Sequence, residues 1–216
     1  MEFKKPKIGI VVGIRSEKRC IPSNKNLFVE IGYGKKAYKA AKNVLKNNLD
    51  LIISFGLAGS MTKKIRNSEV IIPNKILNEK FKFKKTSTIS NNYLRKRSKE
   101  KIIKNVCLFT SDKILNKKIK LKISAVDMEA SYVLKAASEH KVPFSSVKII
   151  FDDMENSIPS FLINSIDNNG KLKLFSLIIE ILKNPYRVKD LVRLNRIYVK
   201  SMQKLKSVAN QMFKLN

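Results

Sequence analysis

AVDMEASYVLKAASEHKVPFSSVKIIFD, residues 125–152, sets a helix and a strand between two groups of carboxylates. Asp127 and Glu129 open the helix. Ala130, Ala136 and Ala137 suit close packing, and Lys141, Val142 and Pro143 end the helix. A second apolar run, 147–151, then stops at Asp152 and Asp153. In open α/β sheets, ligands bind at the carboxyl ends of strands. Acids held there, in a chain with a large excess of positive charge, are candidates for chemistry.

Upstream, residues 7–12 read as a short buried strand turned by Gly13, and 27–31 as a second, closed by IGYG. Residues 35–48 have helical spacing, with Ala37, Ala40, Ala41, Val44 and Leu45 on one side. Residues 49–55 form a continuous apolar strand, capped by GLAGS at 56–60. A further strand at 69–72 stops at Pro73. The segment 81–122 is strongly basic, with Glu100 and Asp112 its only acids. Within it, 106–110 reads as a strand, 111–118 as a short helix, and the rest as a weakly ordered surface segment. Residues 164–170 read as a loop and 172–182 as a buried helix. From Val188 onward, Val188, Leu191, Val192, Tyr198, Val199, Met202, Leu205, Ala209 and Met212 share one helical face, with Lys and Arg on much of the other. The expected architecture is α/β in three layers, a central twisted mixed sheet flanked by helices. Residues 1–184 form its domain and 185–216 a basic amphipathic tail.

The chain has 216 residues, 44% hydrophobic, enough for a sizeable core. Its formal net charge is +28, from 45 Lys and Arg against 17 Asp and Glu. Two explanations fit: a coding bias towards Lys, Asn and Ile, or attraction to an anionic partner, nucleic acid or membrane. Cys20 and Cys107 have no motif spacing, and His140 is the only histidine. Neither a disulfide framework, a zinc site nor a catalytic triad is indicated. The start of the chain lacks a signal-peptide pattern, and no apolar run spans a bilayer. The expected location is cytoplasmic, free or peripheral to the inner membrane face.

Four segments in order, VVGIRSE (11–17), IGYGKKAYKAA (31–41), SFGLAGS (54–60) and AVDMEA with IIFDD (125–130, 149–153), resemble the nucleoside phosphorylase and nucleosidase superfamily. Within it, the short first loop, the SFGLAG strand end, the loop near 166–170 and the basic tail most resemble the hopanoid-associated phosphorylases. The resemblance implies cleavage of the N-glycosidic bond of a purine nucleoside, with adenosylhopane as the subfamily's substrate and methylthioadenosine or S-adenosylhomocysteine as the nucleosidase alternative. It implies no cofactor, inorganic phosphate as the candidate co-substrate, and a homodimer.

The resemblance also implies roles. Asp152 protonates the leaving purine at N7, which requires an acid whose pKa burial has raised. Glu129 holds the ribose hydroxyls, and Met128 packs on the sugar. Glu17 activates water. Gly56, Ala58, Gly59 and Phe151 shape the substrate pocket. Arg15 and Gly13 are the candidate phosphate contacts. Ser54, Leu57 and Ser60 depart from the phosphorylase pattern and favour water as the nucleophile.

Plainer readings stand beside these. Asp127 and Glu129 at a helix start complement its dipole, Asp153 is a turn former, and Glu17 pairs with Arg15 or Arg19 on the surface. His140 is a solvated helix end. A nucleic-acid binder would explain the charge, but no RNP, KH or zinc-finger signature accompanies it. A relative that binds nucleosides without turnover is the third reading.

Overall fold

The computed structural model describes residues 5–80, 82–113, 123–155, 158–159, 161 and 182–214. The strands are β1 (Ile8–Val12), β2 (Leu27–Ile31), β3 (Leu51–Ser60), β4 (Val70–Ile71), β5 (Lys75–Leu77), β6 (Phe83–Lys85), β7 (Ile102–Ile103), β8 (Cys107–Thr110), β9 (Ala125–Asp127) and β10 (Phe144–Asp152). The helices are α1 (Arg15–Lys18), α2 (Lys36–Leu45), α3 (Thr88–Arg97), α4 (Ala130–Glu139) and α5 (Val188–Phe213). A short 3₁₀ turn, Pro185–Arg187, leads into α5.

All ten strands of the described residues join one mixed sheet, and β3 is its hub. The first half of β3 pairs in parallel with β1, from Leu51 opposite Ile8 to Ser54 opposite Val11. Its far end pairs antiparallel with β9, Gly59 opposite Val126. Along its other edge runs β10, parallel, from Phe144 opposite Ile52 onward. Both faces are covered, which explains why β1, nearly all of β3 and most of β10 are buried in continuous runs. On one face the alanines of α2 and α4 close over Val11, Ile52, Ile71 and Ile150. On the other, Leu94 of α3 and Leu205, Val208, Ala209, Met212 and Phe213 of α5 cover Ile8, Ile10, Ile53, Phe55 and Ile149. The three-layer α/β architecture is as the sequence predicts.

Four local readings are corrected. GLAGS does not cap β3; the strand runs through to Ser60, because β9 and β10 go on pairing with it beyond Phe55. Residues 125–127 are a strand rather than the first turn of a helix, and α4 starts at Ala130 with Glu129 at its N-cap position. Much of the segment read as weakly ordered is α3, flanked by β6 and β7. Ser87 accepts a hydrogen bond from Ser90 N at 3.2 Å as the N-cap of α3. Asn91 is buried by hydrogen bonds from Ser145 Oγ (2.6 Å) and to Thr86 Oγ1 (2.8 Å), a burial no apolar pattern announces.

The fourth correction concerns α5. Its inner face carries Leu194, Ser201, Leu205, Val208, Ala209 and Met212, whereas Val188, Val192 and Val199 are exposed. Its end is built into the core, with Phe213 edge-on to Phe55 at 5.2 Å. Arg97 of α3 donates to the carbonyls of Met212 (2.8 Å) and Lys214 (2.9 Å), satisfying carbonyls at the helix end. The loop read at 164–170, nearly all of the helix read at 172–182, and most of the helix read at 111–118 lie outside the described residues; 111–113 are not helical.

Candidate active site

β1, β3, β9 and β10 end around one open cavity of about 320 Å³, within the roughly 300–1,000 Å³ range of small-molecule sites. Gly13, Glu17, Ala58, Gly59, Met128, Glu129, Phe151 and Asp152 all line it. Residues more than a hundred positions apart thus converge as the sequence expects. Gly56 sits just behind the wall. Arg15 is exposed and does not line the cavity.

Glu17 is not on the surface; it is 5% exposed. Gly13 N–H (2.8 Å) and Ile14 N–H (3.2 Å) donate to its Oε2, and Leu57 N–H (2.9 Å) donates to Oε1. Gly56 makes room for it: a β-carbon there would fall 2.5 Å from Glu17 Oε1, and the backbone φ is +154°. Only glycine holds that conformation readily. Burial pushes the Glu17 carboxyl above its usual pKa, although Lys148 and the three N–H donors oppose that shift. The reading of Glu17 as a surface ion-pair partner is therefore set aside. The Gly13 N–H considered for phosphate is committed to Glu17.

Glu129 stands beside it. A Gly13 β-carbon would lie 3.2 Å from Glu129 Oε1 and 3.3 Å from Glu17 Oε2, so the two carboxylates flank one small backbone step. Gly34 N–H donates to Glu129 Oε1 at 3.2 Å, and Tyr33 Oη donates to Met128 Sδ at 3.1 Å. The IGYG turn thus braces both residues.

Lys148 anchors this cluster, and sequence reasoning missed it. It sits in the middle of β10, 1% exposed, with Nζ 2.9 Å from Asp127 Oδ2 and 3.8 Å from Glu129 Oε2. A lysine inside an apolar strand, VKII, was the available signal: a buried ammonium needs carboxylate partners. Asp127 also accepts from Thr110 Oγ1 (2.8 Å) and Ala130 N–H (2.9 Å). It is thereby a structural carboxylate that ties β8, α4 and β10 together. Burial alone would lower the Lys148 pKa; Asp127, Glu129 and Glu17 outweigh that and hold it above the usual lysine value. Glu129 is pushed up to about 8, first by burial, with Asp127 and Glu17 adding to it against Lys148 and Gly34 N–H.

That shift has a sign in stability. The folded state binds the Glu129 proton more tightly than the unfolded chain, so this residue's contribution declines as pH rises from 4.5 and levels off above about 8. Chemical denaturation of the wild type and E129Q across this range should show the wild type losing stability relative to the variant. Parallel pH profiles would show that Glu129 titrates as an ordinary glutamate.

Asp152 is placed by a bulge. The β3–β10 register slips between Ile150 and Asp152, which leaves Phe151 as the extra residue and sets Asp152 opposite Gly59. Bulges re-aim side chains in this way. Asp152 Oδ1 is 2.7 Å from where a Gly59 β-carbon would be, so Gly59 admits the carboxylate. Asp152 is half-buried, less enclosed than expected from its place at the end of an apolar strand. Asp153 turns away: it accepts from Asn67 N–H (2.8 Å) and Glu155 N–H (3.0 Å), the turn-forming role expected of it.

No family model matches the chain, and no curated protein matches its sequence. The likeness is in structure. The 5′-methylthioadenosine/S-adenosylhomocysteine nucleosidase of Helicobacter pylori, solved with butyl-thio-DADMe-Immucillin-A, matches with a TM-score of 0.64 at 18% identity, over 96% of this chain and 99% of its own. That of Neisseria meningitidis, in complex with methylthio-immucillin-A, matches with a TM-score of 0.66 at 12% identity, over 96% and 99%. A futalosine hydrolase mutant of H. pylori matches at 0.60 and 18%, over 68% of this chain and 89% of its own. The chain has the fold of these nucleosidases.

Tyr33, Lys113 and Ile158 also line the cavity and were not singled out in sequence; Leu57 and Tyr198, noted there on other grounds, line it too. Tyr198 arrives from α5, fixed by a hydrogen bond from its hydroxyl to Ser16 Oγ at 2.9 Å and by edge-on contact with Phe151. A second cavity, of about 480 Å³, lies on the far side of the Asp112 loop. Asp112 there is tied to Lys35 (2.7 Å) and Tyr132, and five of the twelve lining residues are lysine. It does not bring Glu17, Glu129 or Asp152 together.

Proposed function

We propose that this chain cleaves the N-glycosidic bond of a purine nucleoside, with water as the nucleophile. One observation carries the choice of water. The backbone N–H groups of Gly13, Ile14 and Leu57, the donors an anionic phosphate would use, are filled by the Glu17 carboxylate. A phosphate there would lose those donors and meet like charge.

In the proposed reaction the purine lies towards Asp152 and the ribose towards Glu129 and Met128. Asp152 gives a proton to the purine N7 as the C1′–N9 bond breaks, which makes the base a neutral leaving group. Positive charge grows on the ribose, and Glu129 holds its hydroxyls in place as it does so. Water adds to C1′ and yields its proton to Glu17, which acts as the general base. The products are free purine and free sugar. Methylthioadenosine is a natural first substrate to try, since nucleosidases of the same fold are named for it. The finer assignment, to adenosylhopane, rests on the sequence resemblance alone. The apolar wall formed by Ile14, Phe151, Ile158 and Tyr198 is compatible with an apolar group at the ribose 5′ carbon.

The test is purine release from adenosine, methylthioadenosine and adenosylhopane, with and without inorganic phosphate. Equal release in both conditions, yielding the free sugar with its 5′ substituent rather than the sugar 1-phosphate, is expected. Release that requires phosphate would overturn the hydrolytic route. Tight nucleoside binding with no release would favour the reading as a binder.

A further inference from the structure

α5 carries a second apolar stripe that the core does not use. Val188, Val192 and Val199 are 45%, 46% and 46% exposed, and Tyr186 just before them is 66% exposed. At 3.6 residues per turn the three valines lie within roughly 40° of one another. Lys189, Arg193, Arg196 and Lys200 occupy the adjoining arc of the same helix. Asp190 is the only acid on the first half of the helix, and Arg193 reaches it at 3.4 Å. The helix thus has three strips: one in the core, one apolar and exposed, and one basic.

From this arrangement we infer that α5 docks the protein on an anionic lipid bilayer, valines inserted and basic side chains among the headgroups. Exposed valines beside a basic strip are the pattern of an interfacial helix. The alternative anionic partner, nucleic acid, would use the basic strip but gain nothing from the valines. No helix among the described residues is long and apolar enough to cross a membrane, so this is attachment at the surface. Tyr198, the neighbour of Val199 in sequence on the same helix, lines the cavity, as does Ile14, 39% exposed. Docking would therefore bring the cavity mouth near the lipid surface. The consequence for substrate choice rests on the nucleoside-cleaving reading; docking itself does not.

Co-sedimentation of the full chain with phosphatidylcholine vesicles, with and without phosphatidylglycerol, tests this at low and high salt. The intact protein should pellet with the anionic vesicles at low salt and be released at high salt. V192D/V199D and R196E/K200E should each lower that partition by about tenfold or more, while thermal melting and cleavage of a soluble nucleoside stay unchanged. Protein that remains in the supernatant throughout overturns the inference. So does vesicle binding that both pairs leave intact. Competition by a single-stranded oligonucleotide, with V192D/V199D binding like wild type, would make this a nucleic-acid face. Conversion of a dimer to a monomer by V192D/V199D would make it a contact between copies.

Discussion

D152N is expected to lower purine release by about 10²–10⁴-fold, the range typical of losing a positioned general acid. The substitution keeps size and shape but removes the proton that would go to the purine. The fold should tolerate it. Asp152 sits half-buried at the cavity rim on a bulge, and the backbone pairing of β10 with β3 holds it there. Asn keeps the size and hydrogen-bonding shape of Asp, so the urea midpoint should move little compared with the change in rate. Two readings separate the acid from a mere contact. An acid's loss falls on kcat with substrate binding largely retained. It is also smaller for nucleosides whose base leaves easily without protonation. D152N with full activity would remove Asp152 from the chemistry and require another acid in the cavity.

K148M should produce the largest loss of stability, about 3–5 kcal/mol by urea denaturation, because it leaves buried carboxylates without their cation. Against a typical total of roughly 5–15 kcal/mol, that is enough to threaten folding at ordinary temperature. The ion pair to Asp127 at 2.9 Å is fully enclosed. Asp127 in turn holds Thr110 and the first turn of α4, so the damage spreads across three elements. Two further variants distinguish charge from volume. K148R keeps the cation and should retain most of the stability. D127N/K148M removes both charges and should recover part of the loss, giving a coupling energy of the order of 1–3 kcal/mol in a double-mutant cycle. A K148M protein as stable as wild type would show that this cluster does not hold β9, α4 and β10 together.

The parts of the fold that sequence made legible are those where apolar residues alone decide position. The alanines of α2 and the apolar runs of β1, β2 and β10 fall where their periodicity puts them. The site residues were singled out by the resemblance of their motifs to the nucleoside phosphorylase and nucleosidase superfamily, and Glu17, Glu129 and Asp152 line one cavity. Other parts were hidden because polar groups or equal alternatives decided them. α3 is held by buried polar groups: Asn91 bonds Thr86 nearby and accepts from Ser145, a partner far away in sequence, while Ser90 bonds its own N-cap Ser87. In α5 two stripes have acceptable helical spacing, and the one containing Ser201 is the inner one. Asn67 Nδ2 donates to that serine at 3.3 Å, which makes it acceptable in the core. GLAGS looked like a turn because glycines are usually turn formers; here Gly56 and Gly59 give way to the carboxylates of Glu17 and Asp152 within a continuing strand. Lys148 was overlooked because strand patterns are read for apolar residues, while its meaning lies in the charge it needs opposite.

A crystal structure of D152N with bound 5′-methylthioadenosine would be the most direct test of whether these acids surround one nucleoside. The purine should lie against Gly59 with N7 at residue 152, the ribose hydroxyls on Glu129, and C1′ facing Glu17. A nucleoside seated in the lysine-rich cavity, or one with its sugar at residue 152 and its base at Glu129, would contradict the proposed chemistry.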